Sequence, residues 1–107
     1  RNHGFLYAGP DGWRLAPAYD LNPVPTDIKP RVLTTAIDLD DGTASLDLAM
    51  SVTGYFELDE KEARTIAAEV GQAVATWREE AIRQGLMSTE IDRMASAFEH
   101  EDLNAAV

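Results

Sequence analysis

Two side chains near the start of the chain have the right chemistry to share a cation: Asn2 in RNHGFL and Asp20 in LAPAYDLNP. An amide oxygen and a carboxylate are hard ligands. They suit a magnesium ion, which takes one or two protein side chains together with nucleotide phosphates and water. Phosphoryl-transfer enzymes meet this need with an asparagine that ends a loop and an aspartate that follows the next hairpin. The order here is asparagine, predicted hairpin, aspartate. The hairpin matters physically, because it folds the chain back and returns the acid to the neighbourhood of the amide. An aspartate in an apolar, proline-braced segment is also held in one place, as a metal ligand must be. Residue types alone favour a simpler reading: Asp20 as a turn acid ahead of Asn22 and Pro23.

Other constellations are weaker. The run DLDDG, Asp38 to Gly42, superficially resembles a calcium loop, but counting from Asp38 puts Thr43 at position 6 and Ala49 at position 12. Such a loop needs glycine and a bidentate glutamate there, so a solvated turn ahead of a helix is expected. The two histidines, His3 and His100, lie far apart, and neither has a second histidine at metal-ligand spacing. His100 reads as a surface residue in a charged tail, whereas His3 stands beside Asn2 at the mouth of the hairpin.

The elements that must position these residues follow from local pattern. Residues 4–16 predict a hairpin, with GFLYA and WRLAP separated by the turn residues GPDG. Pro17, Pro23, Pro25 and Pro30 then deny both helix and interior strand. The apolar residues among them (Ala18, Tyr19, Leu21, Val24, Ile28) predict that this connection packs. RVLTTAID reads as extended and DLDDGT as a turn. Ser45 can cap a helix running to about Tyr55. Asp59 with Glu62 forms a capping box for a long helix bearing Ala63, Ile66, Ala67, Val70, Val74, Trp77 and Ala81, stopped at Gly85. Ser88 can cap a last helix with Ile91, Met94, Ala95 and Phe98 on one side, and EHEDLNAAV is expected to fray. Trp77 and Phe98 read as packing anchors. The predicted fold is mainly α with a small β-hairpin: hairpin, proline-rich connection and about three helices.

Bulk properties bound the function. One hundred and seven residues with 45% hydrophobic content make one globular domain, not a disordered tail. The formal net charge is −10, and residues 31–107 carry all of it, with 16 acids against 6 bases. That surface repels phosphate backbones, so direct nucleic-acid binding is not expected. No apolar run approaches a membrane span, and the lack of cysteine excludes disulfides and thiolate metal sites, in keeping with a cytoplasmic location.

The stretch RNHGFL coupled to GWRLAPAYDLNP resembles the HipA family of serine/threonine kinases, the toxin components of bacterial toxin–antitoxin modules. LTTAIDLDDGTASLDLAMSVTGYFEL and the helix through WREEA are similar to the helical end of the same family, so the resemblance covers nearly the whole chain. It implies that residues 1–107 are the C-terminal part of the kinase large lobe. Residues 1–16 would be the end of the catalytic loop and the hairpin, 17–43 the metal-binding segment and connection, and 44–107 a helical subdomain. It further implies that Asn2 and Asp20 bind magnesium with ATP and that Arg1 and His3 support the loop. The family's catalytic aspartate lies five residues before the loop asparagine, and its nucleotide-binding lobe lies earlier still. No catalytic residue is therefore expected within this chain, which should be inactive alone and hold neither ATP nor magnesium firmly. For the complete kinase the implied partners are a protein substrate and a helix-turn-helix antitoxin. A non-enzymatic acidic helical interaction module is the alternative, with a homodimer formed through apolar surfaces that the rest of the lobe would otherwise cover.

Overall fold

The computed structural model describes residues 2–107. The expected hairpin is present. Strand β1 (Phe5–Tyr7) pairs antiparallel with β2 (Trp13–Leu15), placing Phe5 opposite Leu15, Leu6 opposite Arg14 and Tyr7 opposite Trp13. A short 3-10 turn, Gly9–Asp11, joins them. Gly9 and Gly12 take φ of 73° and 89°, a left-handed region open to glycine without a Cβ penalty. The Ala16 amide donates to the Gly4 carbonyl at 2.8 Å, extending the ladder toward Asn2. All six strand residues are exposed.

The proline-rich connection docks differently from expectation. Pro25 is buried, but Leu21, Val24 and Ile28 remain exposed. Polar contacts hold the segment instead: the Thr26 amide donates to Ser96 Oγ at 3.2 Å, and Arg93 grips both carboxylate oxygens of Asp27 at 3.0 Å. Planar, two-point pairing of this kind fixes orientation as well as distance. Residues 31–44 then make a narrow antiparallel excursion, with one bridge between Val32 and Thr43. The Leu33 amide donates to the Gly42 carbonyl at 2.6 Å, and Ile37 donates to Asp41 at 2.7 Å.

Five helices follow: α1 (Leu46–Ser51), α2 (Glu60–Ala75), α3 (Trp77–Arg83), α4 (Ser88–Phe98) and α5 (Glu101–Ala106). Ser45 caps α1 as expected, but a 3-10 turn over Thr53–Phe56 replaces its last predicted turn. The Asp59–Glu62 capping box forms in both directions, at 2.8 and 3.0 Å. The single long helix expected through residue 81 is broken at Thr76, whose hydroxyl donates to the Ala73 carbonyl at 2.9 Å. A threonine that bonds back along its own helix competes with the main-chain ladder and marks a local break. Gly85, at φ 85°, stops α3 with the expected left-handed cap. Its amide reaches the Ile82 carbonyl, and that of Leu86 reaches Ala81. The cap of α4 falls at Met87, one residue earlier than predicted, because Glu90 accepts from the Met87 amide at 2.8 Å.

The C-terminal segment does not fray. Helix α5 packs on α2 and α1, and a Cβ added at the buried Gly71 would lie 2.9 Å from the Ala106 Cβ. The helices thus approach closely because position 71 carries no side chain. Asp102 secures the contact by accepting from the Leu46 amide at 2.8 Å and pairing with Arg31. Trp77 and Phe98 do act as anchors, stacked at 4.4 Å with their planes 11° apart. Arg78 lies 4.8 Å over Trp77 and bonds Asp92 at 2.9 Å and both oxygens of Glu99.

The core is thin. Only Pro25, Val52, Ala63, Gly71 and Ile91 are buried among the described residues. The chain exposes 8242 Å², against about 5,900 Å² for a compact monomer of this size. Its radius of gyration is 15.9 Å, against about 13 Å expected. No helix among the described residues is long and apolar enough to cross a membrane.

Candidate metal-binding site

The hairpin returns the chain to its starting point. Ala16 pairs back to Gly4, and the Tyr19 hydroxyl lies 3.7 Å from where a Gly4 Cβ would stand. Asn2 lies two residues before Gly4, and Asp20 directly follows Tyr19. The Asn2 side-chain amide donates to the main-chain carbonyl of Asp20 at 2.6 Å, across 18 residues of sequence. The two residues that local chemistry singled out are therefore neighbours in space, joined through the backbone of the aspartate.

Asp20 has φ 53°, one of two non-glycine residues with positive φ among the described residues. A left-handed aspartate costs roughly 1–2 kcal/mol and persists where surrounding contacts over-determine it. Those contacts are visible. Asn2 holds the carbonyl, and the side-chain amide of Asn22 donates to Asp20 Oδ1 at 2.5 Å. Neither the Asn2 amide oxygen nor the second carboxylate oxygen of Asp20 has a hydrogen bond among the described residues. Two hard oxygen donors of this type fit a magnesium ion that completes its octahedron with phosphate and water.

His3 is exposed and stands with Asn2 and Lys29 at the edge of a groove of about 980 Å³. The groove runs between residues 32–37 and helices α1, α2 and α5, and is walled by apolar groups such as Leu33, Met50, Phe56, Ile66 and Val70. Its size explains the exposure of Ile66 and Val70, which the helical pattern assigned to the buried stripe. The assignment of Arg1 to loop support lies outside the described residues. In the DLDDG turn the carboxylates bond to nearby backbone amides: Asp38 Oδ1 accepts from Leu39 and Asp41 Oδ1 from Thr43, both at 2.8 Å. The Thr43 amide, together with its hydroxyl, holds the Asp41 carboxyl below its usual range.

Two features escaped the sequence reading. Asn22 appeared only as a turn residue, although an amide two places from an aspartate is a familiar local partner for it. His100 was assigned to the surface but is half-buried, and no hydrogen bond reaches its buried Nδ1. Burial first, then the nearby Arg31 charge, push its pKa down; Asp102 and Glu101 oppose the shift without cancelling it.

No curated protein and no solved structure matches the chain. A family profile does match, over residues 1–77, a span that contains the hairpin, the Asn2–Asp20 contact, the proline-rich connection, α1 and all of α2. By that match the chain belongs to the family of HipA-like C-terminal domains.

Proposed function

We propose that this chain is the C-terminal part of a HipA-like serine/threonine protein kinase, a growth-arresting toxin of a bacterial toxin–antitoxin module. In the complete kinase, Asn2 and Asp20 would hold the magnesium that accompanies ATP. The observation that supports this reading is the 2.6 Å bond from the Asn2 side-chain amide to the Asp20 main-chain carbonyl, which makes the two residues neighbours across a hairpin. Bound magnesium neutralises charge on the phosphate oxygens as the γ-phosphoryl group moves to a protein hydroxyl. This chain's own contribution is placement: the hairpin sets the spacing, Asn2 fixes the Asp20 backbone, and Arg1 and His3 support the loop. The aspartate that would accept the hydroxyl proton, five residues before Asn2 in the family pattern, and the nucleotide-binding lobe lie outside residues 1–107. In the complete kinase, positioning by all these parts together would supply the rate.

The protein substrate and a helix-turn-helix antitoxin belong to the complete kinase, in the cytoplasm. A net charge of −10 argues against direct nucleic-acid contact by this part. The test is Asp20→Asn in the complete kinase. Transfer of the ATP γ-phosphate should fall by at least about a hundredfold, with the helical circular dichroism unchanged. Transfer at the wild-type rate would remove Asp20 from the site.

Two observations favour a second reading, a non-enzymatic helical interaction module that self-associates: the large surface excess and the apolar groove. Protection from proteolysis by ATP with magnesium in the complete protein separates the two. Magnesium-dependent protection supports the kinase, and none supports the module.

A further inference from the structure

Asp20 carries a carboxylate on a backbone that is left-handed without being glycine, a strained conformation that persists only where neighbouring contacts hold it. One such contact is from Asn22, whose side-chain amide donates to Asp20 Oδ1 at 2.5 Å. Asn22 is itself constrained, because the residue before a proline is kept out of the helical region, and Pro23 follows it. One oxygen of Asp20 is thereby tied to a neutral donor, and the other has no hydrogen bond among the described residues. A neutral amide leaves the charge of the carboxylate intact while removing its rotational freedom. A lysine or arginine in the same place would offset that charge and weaken cation binding.

We infer that Asn22 is a positioning residue for the divalent cation: by holding Oδ1 of Asp20 it directs the second carboxylate oxygen at the ion and sets the site's affinity for magnesium. This rests on the reading of Asp20 as a metal ligand given above. It assigns to Asn22 a task that its turn chemistry alone does not require. Groups that orient a metal ligand in this way change affinity by about tenfold to a hundredfold when removed.

The experiment uses the complete kinase with a non-hydrolysable ATP analogue and Mn²⁺ as the probe for the magnesium position, with free Mn²⁺ read by electron paramagnetic resonance. Asn22→Ala should weaken Mn²⁺ binding by about tenfold, and raise the magnesium concentration for half-maximal transfer similarly, while the rate at saturating magnesium recovers most of its wild-type value. Asn22→Gln, which keeps the amide donor, should restore part of the affinity. Asp20→Asn provides the control. If it abolishes Mn²⁺ binding while Asn22→Ala binds as tightly as wild type, the positioning role is overturned and the metal site stands. If Asp20→Asn leaves Mn²⁺ binding unchanged, the metal reading itself falls. Loss of saturating rate in Asn22→Ala without any change in Mn²⁺ affinity would also overturn the inference, since it would mark a purely structural role.

Discussion

Gly71 on α2 and Ala106 on α5 touch so closely that a Cβ at position 71 would stand 2.9 Å from that of Ala106 and 3.2 Å from Val107 Cγ1. A glycine inside a sixteen-residue helix costs about 1 kcal/mol of helix propensity relative to alanine. Here the missing side chain lets the C-terminal helix sit down on α2. Gly71→Ala sets the two effects against each other. Overpacking at a contact this tight costs about 1–3 kcal/mol, so α5 should lift away while α2 becomes more helical. Hydrogen exchange will read this as lost protection at the α5 amides with retained protection in α2. Unchanged α5 protection would show that the contact has room to yield.

Acidification should loosen the same corner. His100 lies below its ordinary pKa, mainly through burial and then the Arg31 charge. For Asp102, burial acts upward, but the Leu46 amide and Arg31 outweigh it and leave the carboxyl below its usual range. Both folded values are depressed, so the unfolded chain binds more protons as pH falls and stability declines with it. The upper window opens near pH 6.5, the ordinary histidine value. The lower one belongs to Asp102 together with Asp27 and Glu99, whose arginine partners, Arg93 and Arg78, hold them low. Thermal midpoints between pH 7 and 5 should fall in the wild type and flatten in His100→Gln. A wild-type profile that is flat across that range contradicts the prediction.

The α3–α4 pair is held by two interactions of different character. Phe98 stacks on Trp77, and Arg78 covers the same indole while bonding Asp92 and Glu99. Phe98→Ala should cost roughly 2 kcal/mol, a partial share of a fully buried ring, and should be insensitive to salt. Arg78→Lys keeps the charge but loses the two-point grip on Glu99. Its destabilisation should shrink in molar salt, where exposed ion pairs are screened. Chemical denaturation with urea, at low and high salt, measures both.

Gly42 meets the Leu33 carbonyl oxygen, which a Cβ would approach to 2.5 Å. That atom is backbone and cannot swing aside. Gly42→Ala should therefore break the Leu33–Gly42 hydrogen bond and open the excursion over residues 31–44, at about 1–3 kcal/mol. The loss of amide protection at Leu33 is the direct readout, and a fully protected Leu33 amide would show that the backbone accommodates the methyl group.

Local chemistry alone determined a good part of this protein. The hairpin with its glycine turn, the Asp59–Glu62 capping box and the left-handed stop at Gly85 all stand where the residues place them, because each depends on partners within a few positions. The approach of Asn2 to Asp20 was legible for the same reason, since a hairpin of predictable length lies between them. Tertiary structure decided the rest. The bonds from Asp102 to Leu46, from Arg78 to Glu99 and from Arg93 to Asp27 join residues 21 to 66 positions apart. No periodicity announces such pairs, because they depend on which surfaces meet once the helices pack. The tail shows this most clearly: EHEDLNAAV has no amphipathic signal of its own, and it becomes a helix because a gap at Gly71 and a free amide at Leu46 are waiting for it.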